Sequence, residues 1–217
     1  MHIAIAGAHG KIARLLTVRL ADAGHDVRGL IRNRDHADDV RSDGAEPVIC
    51  DLELTTVGDL AEALGSQVDV VVFAAGAGPG SGAARKETVD HDGAVKLLRA
   101  AAARGAEHYV MISAFGADAD HDGDEVFDVY LRAKGRADEA VRSGLVPYTI
   151  LAPTSLTDDV AAGSVALGDD PDGGPVSRAD VAAVLAELIE RRAAIGTTVR
   201  LTAGDVPIAD AVAALTS

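Results

Sequence analysis

His2-Ile3-Ala4-Ile5-Ala6-Gly7-Ala8-His9-Gly10-Lys11-Ile12-Ala13 opens the chain, and its order decides the fold. An apolar, partly β-branched run leads into two glycines, and the glycines lead into an amphipathic pattern over Lys11–Ala23. Strand, tight turn and helix in that order form the first half of a βαβ unit. Gly7 permits the tight turn, and Gly10 lets the backbone come close to a pyrophosphate. The helix start behind them presents unpaired N–H groups and the positive end of its dipole. Glycines alone are a weak signal; their seat between strand and helix gives them weight. The spacing departs from G-x-G-x-x-G, and Ala13 adds one methyl where a third glycine would allow the closest helix–strand packing. His9 is expected to contribute its backbone amide to the turn.

Working outward, the same alternation continues along the chain. Strand-like runs are read at His2–Ala6, Asp26–Ile31, Glu46–Cys50, Val68–Ala74, His108–Ile112, Tyr148–Leu151 and Thr197–Leu201. Helical patterns fall between them at Lys11–Ala23, Asp35–Ser42, Val57–Leu64, Arg85–Arg104, Val126–Ser143 and Arg178–Arg192. Several strands are continuously apolar, as expected where helices cover both faces of a sheet. The reading is therefore an α/β fold, a single Rossmann-type doubly wound parallel sheet flanked by helices. Gly24, Gly44, Gly65, Gly105 and Gly144 each follow a helical pattern and are expected to end it in the left-handed conformation. Ser177, ahead of Arg178-Ala179-Asp180, is expected to cap a helix. The Gly/Pro/Asp-rich loops Gly76–Gly82 and Gly168–Pro175 are too short for linkers, so residues 1–217 are expected to form one domain. Its short substrate-covering part is assigned to 153–177 and 202–217.

Composition narrows the classes. A chain of 217 residues with 48% hydrophobic and 25% charged residues has the balance of a folded globular protein. Its longest apolar stretch, around Val70–Ala77, is far short of the ~20 residues of a membrane span. No basic, apolar leader is visible at the start. The single Cys50 cannot make an internal disulfide, and a reducing cytoplasm is the expected compartment. The net charge of −14 disfavours nucleic-acid binding, since an acidic surface repels phosphate backbones. Acids are mostly Asp and bases mostly Arg, which fits either a GC-rich genome or a salt-rich cytoplasm.

The chemistry-bearing residues follow the strand ends. After the second strand stands Arg32-Asn33-Arg34, where NAD sites carry an acid for the ribose 2′-hydroxyl. Arg32 can stack on adenine and pair with a 2′-phosphate, and Arg34 adds charge, so NADP(H) is expected over NAD. Asp51-Leu52 and Ala74-Ala75-Gly76 follow the third and fourth strands; Asp51 can accept from an adenine amino group, and Ala75-Gly76 are small enough to admit a ribose. Tyr130 and Lys134, four residues apart on a helix, share one face. The ammonium is expected to lower the tyrosine pKa for proton transfer to or from a carbonyl oxygen, with Ser113 holding the same oxygen. Asp118-Ala119-Asp120-His121-Asp122-Gly123-Asp124 imitates the opening of a calcium loop, but Val129 stands at its twelfth position where a Glu is required, so no metal site is assigned.

Taken together, Gly7–Ala13, Arg32-Asn33, Asp51-Leu52, Phe73–Gly76, Val89-Asp90-His91-Asp92-Gly93, Ser113-Ala114-Phe115, Tyr148–Pro153 and Leu156-Thr157-Asp158 resemble an atypical short-chain dehydrogenase/reductase. The group is that of NAD(P)H-binding proteins related to flavin reductase/biliverdin-IX-β reductase and NmrA-like proteins. The resemblance implies a Rossmann domain in which Gly7, His9, Gly10, Lys11 and Ile12 hold the pyrophosphate, Arg32 the 2′-phosphate, Asp51-Leu52 the adenine and Ala74–Gly76 the ribose. Pro153, which ends the sixth matching stretch of strand, joins the cofactor-binding set. Ser113, Tyr130 and Lys134 match the catalytic triad. Only a short segment follows Pro153-Thr154-Ser155, against a large sugar-nucleotide substrate. The expected function is an NADP(H)-dependent reductase of a small carbonyl, quinone or flavin-like acceptor, acting as a monomer or small homo-oligomer without nucleic-acid or membrane partners. The alternatives are a non-catalytic NADP(H) sensor and, third, a nucleotide-sugar epimerase.

Overall fold

β1 (His2–Ala6) lies inside a nine-stranded sheet in the computed structural model, which describes residues 1–78 and 80–215. The chain winds outward through α1 (Lys11–Asp22), β2 (Asp26–Ile31), α2 (Ala37–Ser42), β3 (Ala45–Ile49) and α3 (Val57–Ala63). It then returns beside β1 as β4 (Val70–Phe73) and continues the other way through α4 (Ala83–Arg85), a π-helical turn (Lys86–His91), α5 (Asp92–Arg104), β5 (His108–Ile112), α6 (Val126–Arg142) and β6 (Tyr148–Pro153). Beyond β6 come β7 (Leu156–Thr157), β8 (Ser164–Gly168), β9 (Val176–Ser177), α7 (Arg178–Arg191), β10 (Thr197–Ala203), β11 (Val206–Pro207) and α8 (Ile208–Ala214). The sheet order is β11-β8-β10-β6-β5-β4-β1-β2-β3, and β7 pairs separately with β9. Pairing is parallel from β3 across to β10, while β8 is antiparallel to both β10 and β11. The fold is thus the expected doubly wound α/β sheet, with an antiparallel edge added to it.

The continuously apolar strands have a simple cause. Ile3, Ile5, Val70, Val72 and Val110 point into one core, shared with Leu16 and Leu20 of α1 and with Val184, Leu185 and Leu188 of α7. Their neighbours Ala4, Ala6, Val71, Phe73, Tyr109 and Met111 point into a second core with Leu60 of α3 and Leu97 of α5. A period-2 strand with two covered faces reads as unbroken hydrophobicity.

Several boundaries differ from those expected. The segment read as one helix from Arg85 to Arg104 begins with α4 and a π turn before α5. That wider turn directs Val89 and Asp90 into the interior, which a continuous 3.6-residue pattern does not reveal. Gly144 does not adopt the left-handed conformation, whereas Gly24, Gly44, Gly65 and Gly105 do. Ser143 ends α6 instead, its hydroxyl donating to the Glu139 carbonyl at 2.8 Å. Ser177 caps α7 as expected, accepting from Asp180 N at 3.0 Å. The strands β7, β8, β9 and β11 were not anticipated, being too short or too glycine-rich to carry a period. Residues 202–215 finish the sheet edge, α8 packing on α7 and β8; Thr216 and Ser217 of the assigned covering part, and Pro79 of the first loop, lie outside the described residues.

Candidate functional site

The reversal of strand order between β1 and β4 opens a cleft of about 570 Å³ at the carboxyl ends of the strands. Gly7, His9, Gly10, Arg32, Asp51, Leu52, Ala74, Ala75 and Gly76 of the expected site all line it. Gly7 is left-handed at φ +81°, and a Cβ there would sit 2.6 Å from Ala75 Cα, so no other residue closes this turn. Gly10 begins α1 with extended backbone, no side chain caps the helix, and its first turn carries no acid. The amides of that turn therefore have no competing carboxylate, and a pyrophosphate fits the cradle.

Three of the expected cofactor residues do not line the cleft, and their side chains or carbonyl have partners elsewhere, which leaves the Lys11 and Ile12 amides in the first turn of α1. Lys11 donates to Asp158 Oδ2 at 2.5 Å, tying the start of α1 to the segment after β7, and this pairing holds the Asp158 carboxyl below its ordinary pKa. Ile12 packs against the α1–α7 core, and Pro153 ends β6 with its carbonyl accepting from Phe115 N at 2.9 Å. His9 offers more than an amide: its Nε2 is 2.9 Å from Asp39 Oδ2, and its ring stacks on His36 at 3.6 Å. Cys50, one residue past β3, is buried and lines the cleft.

At the adenosine end the structure adds residues that the sequence reading missed. Glu53 lines the cleft and accepts from Thr88 Oγ1 at 2.6 Å and from Arg85 Nη2 at 2.8 Å. Arg32 Nη1 lies 3.6 Å from the same carboxylate. The Thr88 and Arg85 hydrogen bonds, with Arg32 adding charge, hold the Glu53 pKa below the usual carboxylate range. Asp51 Oδ1 accepts from Glu53 N at 2.9 Å, so part of the expected adenine acceptor shapes its own loop. Glu53 follows Asp51-Leu52 directly, but its hydrogen-bond partners Arg85 and Thr88 lie more than thirty residues away, so no local spacing exposes the cluster.

Ser113 follows the end of β5, where Lys134 reaches the Ile112 carbonyl, and Tyr130 stands one turn earlier on α6 near Asp90 and Asp138; the hydrogen bonds are unlike those expected. Lys134 Nζ donates to the Ile112 carbonyl at 2.9 Å and lies 3.7 Å from Asp90 Oδ1, both side chains being buried. Asp90, brought in by the π turn, also accepts from Ala77 N at 3.2 Å. Ser113 Oγ donates to Asp138 Oδ2 at 2.9 Å, one helical turn beyond Lys134. Burial lowers the Lys134 pKa while Asp90 and Asp138 pull it back up. Burial pushes Asp138 up to about 6, against the Ser113 hydrogen bond and Lys134. The expectation for Tyr130 is reversed: burial, with Asp90 and Asp138 behind it, raises the phenol above its ordinary pKa. The ammonium that was to lower it is turned inward to Asp90, and Lys86 instead lies over the Tyr130 ring at 5.4 Å. While Asp138 is ionised it holds the Ser113 proton. Once protonated it can donate to Ser113 Oγ, freeing that hydroxyl to donate elsewhere.

The acidic loop is fastened to α6. Arg132 Nη1 donates to the carbonyls of His121 at 2.6 Å and Gly123 at 3.1 Å, and His121 Nε2 is 3.1 Å from Asp128 Oδ1.

A family described as NAD(P)H-binding matches residues 7–192. The uncharacterized sugar epimerase YhfK of Bacillus subtilis is 32% identical over 212 residues, spanning 97% of this chain and 98% of that one. A Bacillus halodurans structure, provisionally named an NAD-dependent epimerase/dehydratase, is 34% identical with a TM-score of 0.91, covering 99% of this chain and all of that one. ChuY, an anaerobillin reductase from Escherichia coli O157:H7, shares the fold at 21% identity and a TM-score of 0.77, covering 94% and 98% of the two chains. The chain therefore belongs to the NAD(P)H-binding family, in keeping with its resemblance to the atypical short-chain dehydrogenase/reductases.

Proposed function

We propose that the protein is an NADPH-dependent reductase of a small carbonyl, quinone or flavin-like acceptor. The observation that carries the reading is the junction at Ala77: this residue lines the cofactor cleft, and its amide donates to Asp90, the buried partner of Lys134 beside Tyr130. Ser113, Tyr130 and Lys134 do not line the cleft themselves; the hydrogen bond at Ala77 sets their cluster directly behind its wall, which supports reading the two as one site. Gly7, Gly10 and the first-turn amides of α1 would hold the pyrophosphate, Asp51-Leu52 the adenine and Ala74–Gly76 the ribose, and Arg32 would select the 2′-phosphate. Bound NADPH supplies a hydride.

Tyr130 delivers the proton to the acceptor oxygen. For a carbonyl acceptor its raised pKa does not prevent this, because the alkoxide left by hydride transfer is a stronger base than a phenolate; a quinone or flavin product anion is a weaker base and needs no proton from Tyr130. Lys134, fixed by Ile112 and Asp90, neutralises the buried Asp90 carboxylate near Tyr130, and Ser113 with Asp138 orients the acceptor. That β8, β10 and β11 build the sheet edge rather than a cover over the cleft favours a small substrate. A cytoplasmic setting suits the one free thiol.

The test is Tyr130→Phe, which removes one hydroxyl and leaves the cleft intact. Turnover of any accepted carbonyl should fall by about 10²–10⁴-fold with NADPH affinity unchanged. Tight NADPH binding with no oxidation across aldehydes, ketones, flavins and quinones would replace this reading with the sensor.

A further inference from the structure

The arrangement around Glu53 resembles an anion site with its anion built in. Two guanidinium groups, Arg32 and Arg85, and the Thr88 hydroxyl converge on one carboxylate at 3.6, 2.8 and 2.6 Å. These are the donors a phosphate monoester needs, and the cluster stands on the wall of the cofactor cleft. Its backbone is pinned: Asp51 holds Glu53 N, and Lys96 Nζ donates to the carbonyls of Leu52 at 2.6 Å and Glu53 at 3.3 Å. The side chain of Glu53 alone is left to move. It is a quarter exposed, so it has a solvent-side exit.

We propose that Glu53 is an internal counter-anion for Arg32 and Arg85, displaced when the 2′-phosphate of NADPH takes its place, and that Arg85 is a second residue of the phosphate seat. This inference rests on the NADPH reading above. Glu53 keeps two like charges together on the free protein and excludes adventitious anions, and its displacement narrows the margin by which NADPH is preferred over NADH. NADH has no 2′-phosphate and leaves the Glu53 pairing in place.

Calorimetric titration of the full chain with NADPH and with NADH, at one ionic strength, tests this directly. Glu53→Gln retains shape and removes the competing charge, so NADPH should bind up to about fivefold more tightly, as expected for a partly exposed ion pair, with NADH unmoved. Arg85→Ala should weaken NADPH by about tenfold and again leave NADH unmoved. A wild type that prefers NADPH through Arg32 but is indifferent to Glu53→Gln, or an Arg85→Ala variant that weakens both nucleotides alike, overturns the inference alone. Equal affinities for NADPH and NADH in the wild type, with Arg32→Ala moving neither, overturn the NADPH reading and the inference with it.

Discussion

His108 and Asp138 show how single buried groups set the response of this protein to pH. His108 is 1% exposed; its Nε2 is 2.9 Å from Thr149 Oγ1, whose own proton goes to the Ala194 carbonyl at 3.0 Å. Nδ1 is buried without a partner, so a second ring proton would have no acceptor, and burial with nearby Arg192 lowers the pKa to about 4. Between about pH 4 and 6.5 the unfolded chain binds a proton on His108 that the native one does not, so this group makes stability rise with pH. Asp138, raised to about 6, does the reverse over nearly the same window: the native state holds the proton and stability falls as pH rises. The two slopes oppose each other in the wild type. Relative to it, Asp138→Asn should gain stability as pH rises from 4 to 7, and His108→Gln should lose it, each by no more than about 3 kcal/mol in urea unfolding. Parallel pH profiles for both variants and the wild type would contradict these assignments. Neither group could be ranked from its neighbours in sequence, because each environment is assembled from other strands and helices.

At the scale of elements, α6 and the loop before it act as one unit. Gly135 lies mid-helix, where a glycine ordinarily costs about 1 kcal/mol relative to alanine. A Cβ there would meet the Asp118 carbonyl carbon at 2.1 Å and Ala119 N at 2.2 Å, so the acidic loop rests directly on the helix backbone. Gly135→Ala should therefore destabilise the fold by about 1–3 kcal/mol in urea unfolding despite its better helix propensity. The displaced loop should also become more sensitive to limited proteolysis. A net gain in stability would mean that the loop does not need this approach. Helix ends were legible in the sequence because capping is local: Ser177 and four of the five expected glycines behave as read. The π turn and the seating of the acidic loop were not, since both are shaped by what packs against them.

Across the whole molecule one sheet divides two cores. Leu16 of α1 and Leu97 of α5 are each fully buried, on opposite faces. Leu16→Ala and Leu97→Ala should each cost about 2–5 kcal/mol, and the double variant should show their sum within about 0.5 kcal/mol. Both should move a single denaturation transition followed by circular dichroism; separate transitions for the two faces would refute one cooperative domain. By itself the sequence determined the order of β1–β6 and β10 with the helices between them, the glycine turn after β1, and the burial of both sheet faces, because these are written in contiguous patterns of period 2 and 3.6. The tertiary structure alone decided the antiparallel edge and the partners of the charged groups. The spacing of Tyr130 and Lys134 put them on one face of α6, yet Lys134 Nζ turns to Ile112 and Asp90, and Arg32 faces Glu53. A side chain's charge and reach are local properties, but its partner is whichever opposite charge the fold brings within about 4 Å, from anywhere in the chain.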